Sequence, residues 1–223
     1  MGDLPGYQVG RTATPREIAF GPSKLEIFPG GIVVDGTTGI DGGNTGYTAE
    51  IRAGWALGRI TSTGQYVPCK RTLVNGSGES SSTGGDFTKF TVDNSYPFAV
   101  GDVLTITNPS TGAVVEASLT ITAIDYTTHR ITVNDPVNVT DNYLCHVTNG
   151  AETCRGFLYE FTNLRNDDNT AAADKTANLV VGGELNQSYL LGDISAILAD
   201  ATSLTALGGR LRIFNPSTGL YTL

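Results

Sequence analysis

The chain has 223 residues and a formal net charge of −8, with 22 acidic against 14 basic side chains. Binding to nucleic acid depends mostly on clustered Lys and Arg, and the longest basic run is Lys70-Arg71, so no nucleic acid partner is expected. No apolar run approaches the ~20 residues that a helix needs to cross a bilayer, so no membrane partner is expected either. With 28 Gly but one Met and one Trp, the composition is typical of short strands joined by tight turns.

The first 34 residues predict an extended N-terminal arm, because Gly, Pro, Arg and Thr recur there without periodicity. Near its end, Lys24–Phe28 alternates polar and apolar residues, Pro29–Gly31 interrupts the pattern, and Ile32–Val34 predicts a short strand. The next segment, Asp35–Gly46, contains five Gly and predicts a loop.

The segment Gly46–Pro68 predicts a buried turn followed by a two-stranded ribbon. Ala53-Gly54 is suited to the turn, and Ser62–Gln65 is a hairpin signal between β-rich flanks. The larger side chains here are expected in the core or at a subunit interface, since none of them is suited to chemistry. They are Trp55, Leu57, Ile60 and Tyr66.

Residues 79–148 predict an inserted small β-barrel domain. A Gly- and Ser-rich linker, Asn75–Gly85, leads into its first strand. Period-two alternation then predicts four strands, with Leu104 and Ile106 on one face and Leu119, Ile121 and Ala123 on another. The predicted strands are Lys89–Val92, Val103–Thr107, Val114–Ile124 and Arg130–Val133.

After residue 148 the pattern returns to strands and one short helix. Phe157–Phe161 and Ala177–Val181 predict strands, and Asp193 is suited to cap a helix that runs through Leu204 and ends at Gly208-Gly209. The sequence Asn-Pro-Ser-Thr-Gly occurs at residues 108–112 and 215–219, and both copies predict hairpin turns.

No catalytic, cofactor-binding or metal-binding residue is expected, and the chain is not expected to be an enzyme. His129 and His146 lie in no motif, and nucleophilic catalysis needs a base oriented by a third group. Oxygen ligands for calcium could come from two loops, but EF-hand spacing is missing and solvated loops are favoured. These residues are Asp35, Asp41 and Asn44 in one loop, and Asn166, Asp167, Asp168 and Asn169 in the other.

The three cysteines, Cys69, Cys145 and Cys154, have no CxxC spacing. Three reduced, half-buried thiols in a reducing host cytoplasm are favoured. A single Cys145–Cys154 bridge is the alternative.

Two parts of the chain together resemble phage head decoration proteins, the family typified by the decoration protein D of phage lambda. The first is Arg52-Ala-Gly-Trp-Ala-Leu-Gly-Arg-Ile-Thr-Ser-Thr-Gly-Gln-Tyr66. The second is Gly150–Leu158 followed by Ala177–Asn186. The resemblance covers roughly a third of the chain, and residues 79–148 have no counterpart in the minimal family fold.

The resemblance implies a mainly β, β-rich α+β fold with a short helix, in which residues 35–78 and 149–223 form a discontinuous core. It also implies a homotrimer that binds the major capsid protein on the outer surface of the phage head, at local three-fold positions, after assembly in the host cytoplasm. The arm, residues 1–34, would contact the capsid. Its candidate contact residues are Leu25, Ile27, Phe28, Ile32 and Val33. The alternative from another class is a phage or bacterial surface module that binds carbohydrate through the barrel.

Overall fold

The computed structural model describes residues 25–76, 87–166 and 172–222. The protein is mainly β, with 44% strand and 8% helix, as the sequence predicts. Two α-helices, α1 (Ile194–Leu198) and α2 (Ala201–Leu207), follow a 3-10 helix at Gln187–Tyr189. The strands in chain order are β1 (Glu26–Ile27), β2 (Ile32–Val34), β3 (Glu50–Ile51), β4 (Ala56–Arg59), β5 (Tyr66–Pro68), β6 (Arg71–Leu73), β7 (Phe87–Thr91), β8 (Val103–Thr107), β9 (Val114–Asp125), β10 (Arg130–Val137), β11 (Leu144–His146), β12 (Cys154–Leu158), β13 (Thr162–Asn163), β14 (Lys175–Ala177), β15 (Leu179–Asn186), β16 (Leu211–Asn215) and β17 (Leu220–Thr222).

The larger sheet has nine strands in the order β14-β2-β5-β4-β12-β15-β16-β17, with β1 also paired to β15. Its neighbouring strands are antiparallel except for the parallel pairs β2–β5 and β15–β16. The two helices cover part of it, because Ile197 and Leu207 share a buried cluster with Phe157, Val180 and Leu211. This burial of apolar area is what holds such short helices in place.

The smaller sheet has six strands in the order β6-β11-β8-β9-β10-β7 and curls into a half-barrel. Its two edge strands meet at an antiparallel bridge between Val74 and Val92. Beside this bridge the N–H of Asn75 donates to the carbonyl of Thr91 over 2.9 Å. The half-barrel therefore includes β6, which lies ahead of the predicted boundary at residue 79.

The half-barrel shares its core with the rest of the chain. Ile60, Val67 and Ala151 belong to the same buried cluster as Phe90, Leu104 and Ile131. A unit cut at residues 79 and 148 would leave these three apolar side chains uncovered. The predicted insertion is therefore joined to the larger sheet by packing as well as by two chain crossings.

Two consecutive buried cations lie where the two sheets meet. Lys70 is 2% exposed and its Nζ lies 2.7 Å from Asp102 Oδ1, so a half-barrel carboxylate neutralises it. The neighbouring Arg71 donates from Nε to the carbonyl of Glu152 over 2.9 Å and pairs with Asp200 at 3.3 Å. Removing either carboxylate would leave a buried charge without its partner, which is costly.

The predicted half-barrel strands are confirmed, except that one residue, Ala123, lies on the opposite face of its strand from the one predicted. Leu104, Ile106, Leu119 and Ile121 are all buried, as the alternation predicts. Ala123 is exposed instead, because the β9–β10 register shifts between the pairs Thr132–Ala123 and Val133–Ile121. The extra residue of a bulge moves every following side chain to the other face.

The predicted single helix is two helices. Asp193 caps α1 by accepting from the Ala196 N–H at 2.9 Å, as predicted. Asp200 caps α2 by accepting from the Ser203 N–H at 2.8 Å, so a second helix starts where the first was expected to continue. Gly208 ends α2 in the left-handed conformation, with φ of 67°.

Both copies of Asn-Pro-Ser-Thr-Gly form hairpin turns, as predicted. The first joins β8 to β9, and Asn108 accepts from the Ser110 N–H at 2.9 Å. The second joins β16 to β17, and Asn215 accepts from the Ser217 N–H at 2.9 Å. The Asn side chain that bonds two residues onward explains why the same five residues make the same turn in two different sheets.

Candidate docking surface

The two parts of the chain that resemble the decoration proteins lie side by side in the larger sheet. Strand β4 from the first part pairs with β12 from the second, with Leu57 opposite Gly156 and Ala56 opposite Phe157. Strand β12 in turn pairs with β15, with Phe157 opposite Val180. More than eighty residues separate the two parts along the sequence, so only the folded sheet brings them together.

One of the three glycines of the first part, Gly58, has a packing role at this junction. A Cβ atom added to Gly58 would lie 2.0 Å from the carbonyl oxygen of Ala151. No side chain fits at that distance, so β4 and the loop before β12 can approach this closely only with glycine there. The sequence pattern thus encodes a close backbone contact between its two parts.

The four larger side chains of the first part are located inside the protomer. Trp55 and Leu57 are 0% exposed in one buried cluster. Ile60 is 8% exposed in the half-barrel cluster, and Tyr66 is partly buried against Trp55 and its neighbours. Trp55, Leu57 and Ile60 are therefore buried within the protomer.

The candidate arm residues divide into buried and exposed groups. Ile32 is 4% exposed because it lies on the face of β2 that packs in the cluster with Trp55 and Leu57, so its expected contact with a partner surface is wrong. Leu25 packs partly against the cluster beneath the helices. The remaining three present large apolar surface to solvent: Ile27 is 36%, Phe28 43% and Val33 43% exposed.

These three exposed residues flank one stretch of chain, residues 176–180. Ile27 is opposite Val180, the N–H of Phe28 donates to the carbonyl of Leu179 over 2.8 Å, and Val33 is opposite Thr176. We define the docking surface as Ile27, Phe28 and Val33. Strands β1 and β2, which fall in the segment assigned to the arm from sequence, are therefore part of the sheet, and residues 1–24 of the predicted arm lie outside the described residues.

The histidines have structural partners. His129 Nδ1 lies 3.1 Å from Ser95 Oγ, and Ser95 is 0% exposed, so this hydroxyl is inaccessible to a substrate. His146 Nδ1 bonds the carbonyl of Val147 at 2.6 Å. Burial lowers the pKa of His146 below its usual value, which favours the neutral ring.

The acidic residues considered as calcium ligands have other partners where the structure describes them. Asp35 accepts from the backbone and hydroxyl of Thr38, at 3.3 and 2.6 Å. Asp41 is 0% exposed and binds the Arg52 guanidinium through both oxygens, at 2.6 and 2.8 Å. Asp167, Asp168 and Asn169 lie outside the described residues. In the described ranges, no group of three or more His, Cys, Asp or Glu side chains is arranged to hold a metal ion.

All three cysteines are free and fully buried, rather than half-buried as expected. Burial raises the pKa of the Cys154 thiol to about 12 and also raises those of Cys69 and Cys145. Cys145 lies in the half-barrel cluster and Cys154 in the cluster under the helices, so the alternative bridge between them is not formed. Thiols held neutral in this way are poor nucleophiles and poor metal ligands.

A scan against protein-family models, a search of curated proteins and a search of solved structures each found no match to this chain. Among the helices that the structure describes, none has the length and apolar character to span a membrane.

Proposed function

We propose that this protein is a capsid decoration protein, which binds the outer surface of a phage head as a homotrimer at local three-fold positions. In that role it stabilises the shell by bridging neighbouring copies of the major capsid protein. It acts as a binding protein on the virion and not as an enzyme. The observation that carries the proposal is the pairing of β4 with β12 and of β12 with β15. This pairing brings together the two parts of the chain that resemble phage head decoration proteins.

The docking surface supports the proposal because of its chemistry and its position. Ile27, Phe28 and Val33 expose apolar side chains where the N-terminal segment joins the sheet. In this proposal the segment assigned to the arm from sequence pairs with a strand of the capsid protein through backbone hydrogen bonds, which depend little on partner sequence. The exposed apolar residues beside it then add contact area at the root of the arm.

The proposed trimer supplies the affinity that one arm lacks. Ordering an extended segment costs roughly 1–2 kcal/mol per residue, so a single arm binds weakly after that cost is subtracted. Three arms on one particle surface act at a high effective concentration, which raises the overall affinity without new contacts. A capsid under internal pressure becomes more stable when each bound trimer holds several capsid subunits together.

The experiment compares the full chain with two variants for binding to heads of the parent phage assembled without it. Deletion of residues 1–24 spares β1, which pairs with β15, so the shortened protein is expected to fold and lose binding in co-sedimentation. Phe28→Ala is expected to weaken binding, whereas Tyr189→Ala, at an equally exposed ring (44%), is the matched control. Full occupancy of the heads by the shortened protein, seen by electron microscopy, would contradict the proposal.

A further inference from the structure

A small open cleft lies beside β14, the edge strand of the larger sheet, and its other wall includes β13, which pairs with β3. It has a volume of about 190 Å³ and is formed between residues 160–163 and β14. The N–H of Tyr159 donates to the carbonyl of Asn178 over 3.0 Å at one end, and the N–H of Ala173 donates to the carbonyl of Leu164 over 2.7 Å at the other. Because both ends are held by backbone hydrogen bonds, the cleft is preformed and does not depend on a ligand to open it.

The walls of the cleft combine one aromatic ring with polar groups of both kinds. Phe161 is 41% exposed and supplies the apolar wall. Asn163 uses its Oδ1 to accept from the Arg165 N–H at 3.0 Å, which leaves its amide N–H groups as donors. Glu160 is held in place by a 2.9 Å bond from Asn178 Nδ2. The lining is completed by Thr162, Thr176 and Lys175.

This combination fits a neutral ligand that has a flat apolar face and several hydroxyl groups. One carboxylate and one ammonium line the cleft together, so it favours neither an anion nor a cation. A hydroxyl group both donates and accepts, and can therefore bond with a carboxylate, an amide and a threonine at once. An aromatic ring supplies a flat apolar surface of defined position, which suits the C–H face of a sugar ring.

From these observations we infer that the cleft binds one monosaccharide unit of a neutral glycan, with Phe161 as the stacking platform and Glu160 and Asn163 as hydrogen-bonding partners. Its volume is below the roughly 300–1,000 Å³ of pockets for drug-sized ligands, which limits the occupant to one ring. The openness of the cleft leaves room for the rest of a glycan chain to continue into solvent. The site lies between β13 and β14 and not on the half-barrel, which was the carbohydrate-binding part in the alternative function considered from the sequence.

The inference does not rest on the proposed capsid function, and free protein is the right sample for its test. Thr176 lines the cleft and is also opposite Val33 in the sheet, so the cleft borders the docking surface. A head bound at the docking surface would cover this region, so the sugar test uses protein without heads. If the free protein does not bind sugar, that result contradicts the sugar site alone and does not bear on binding to heads.

The test is saturation-transfer NMR of the free protein with glucose, galactose, mannose and N-acetylglucosamine, followed by titration of any sugar that binds. We expect at least one sugar to bind with a Kd near the millimolar range, because a small open site makes few contacts. Phe161→Ala should weaken that binding by about ten-fold or more. Tyr189→Ala removes an equally exposed ring outside the cleft and should change nothing.

Two results would overturn the inference. One is the lack of transfer to all four sugars. The other is binding that survives Phe161→Ala unchanged, which would place the sugar elsewhere on the protein. Circular dichroism checks that both variants keep their fold, as expected for exposed positions.

Discussion

Asp193 accepts a hydrogen bond from the backbone N–H of Leu73 over 2.9 Å, although 120 positions separate the two residues. The same carboxylate accepts from Thr72 Oγ1 at 3.0 Å and caps α1 through the Ala196 N–H at 2.9 Å. One side chain thus starts a helix over the larger sheet and holds an edge strand of the half-barrel. The two sheets are joined at this residue by polar bonds as well as by packing.

Asp193→Ala should therefore destabilise the protein more than the loss of an ordinary cap. A lost cap costs about 0.5–2 kcal/mol, and the Leu73 N–H, left without its acceptor, adds roughly 1–3 kcal/mol, whereas Thr72 Oγ1 keeps the carbonyl of Leu73 at 3.4 Å. We expect a total loss of about 1.5–5 kcal/mol in urea unfolding. Asn186→Ala, which removes the 3.1 Å capping bond from the Ser188 N–H at the 3-10 helix, serves as the comparison for an ordinary cap. A loss below about 1 kcal/mol for Asp193→Ala would contradict the joining role.

Two substitutions of Trp55, to Ala and to Phe, should destabilise the protein by different amounts. The side chain is 0% exposed, so Trp55→Ala should cost about 3–5 kcal/mol through the cavity it leaves. Its Nε1 is buried without a hydrogen-bond partner among the described residues. Trp55→Phe therefore loses no hydrogen bond and should cost much less than Trp55→Ala. Thermal melts of the two variants measure this, and equal losses would argue against it.

For the Lys70–Asp102 pair we expect the losses of unfolding free energy in the two single variants not to add up in the double variant. Asp102→Ala leaves the amine of Lys70, which is 2% exposed, without its partner, and breaking such a pair costs about 3–5 kcal/mol. Adding Lys70→Met removes the stranded charge and should restore much of that loss. Urea unfolding of both single variants and the double variant gives the coupling energy. Additive losses would mean that the contact contributes little.

His146 predicts a loss of stability in mild acid. Burial lowers its pKa below the ordinary value of 6.5, so the unfolded chain binds this proton more readily than the folded protein. The free energy of unfolding therefore rises with pH between the folded-state pKa of His146 and its ordinary value, and it decreases as the pH falls below about 6.5. His146→Gln removes this contribution and should flatten the dependence of the melting temperature on pH between 7 and the folded-state pKa. An unchanged slope in the variant would assign the effect to other groups.

Local features of this protein could be predicted from its sequence because neighbouring residues decide them. The strand alternation of Leu104 and Ile106, the two Asn-Pro-Ser-Thr-Gly turns and the capping role of Asp193 each depend on side chains a few positions apart. The burial of Trp55 also followed from its apolar surroundings in the sequence. The mainly β fold class is the sum of such local preferences.

Only the tertiary structure decided which of these elements share a core, because that depends on contacts between residues far apart in the chain. Ile32 was assigned to a surface arm but is buried, since its face of β2 packs in the cluster with Trp55 and Leu57. The half-barrel was expected as a separate unit, yet Ile60 and Ala151 complete its core. The β9–β10 register shift turned Ala123 outward, and the cleft beside Phe161 exists only where residues 160–163 face β14. The alternation of apolar and polar residues and the choice of turn residues act over a few positions. Burial depends on which distant strands and side chains come into contact when the chain folds.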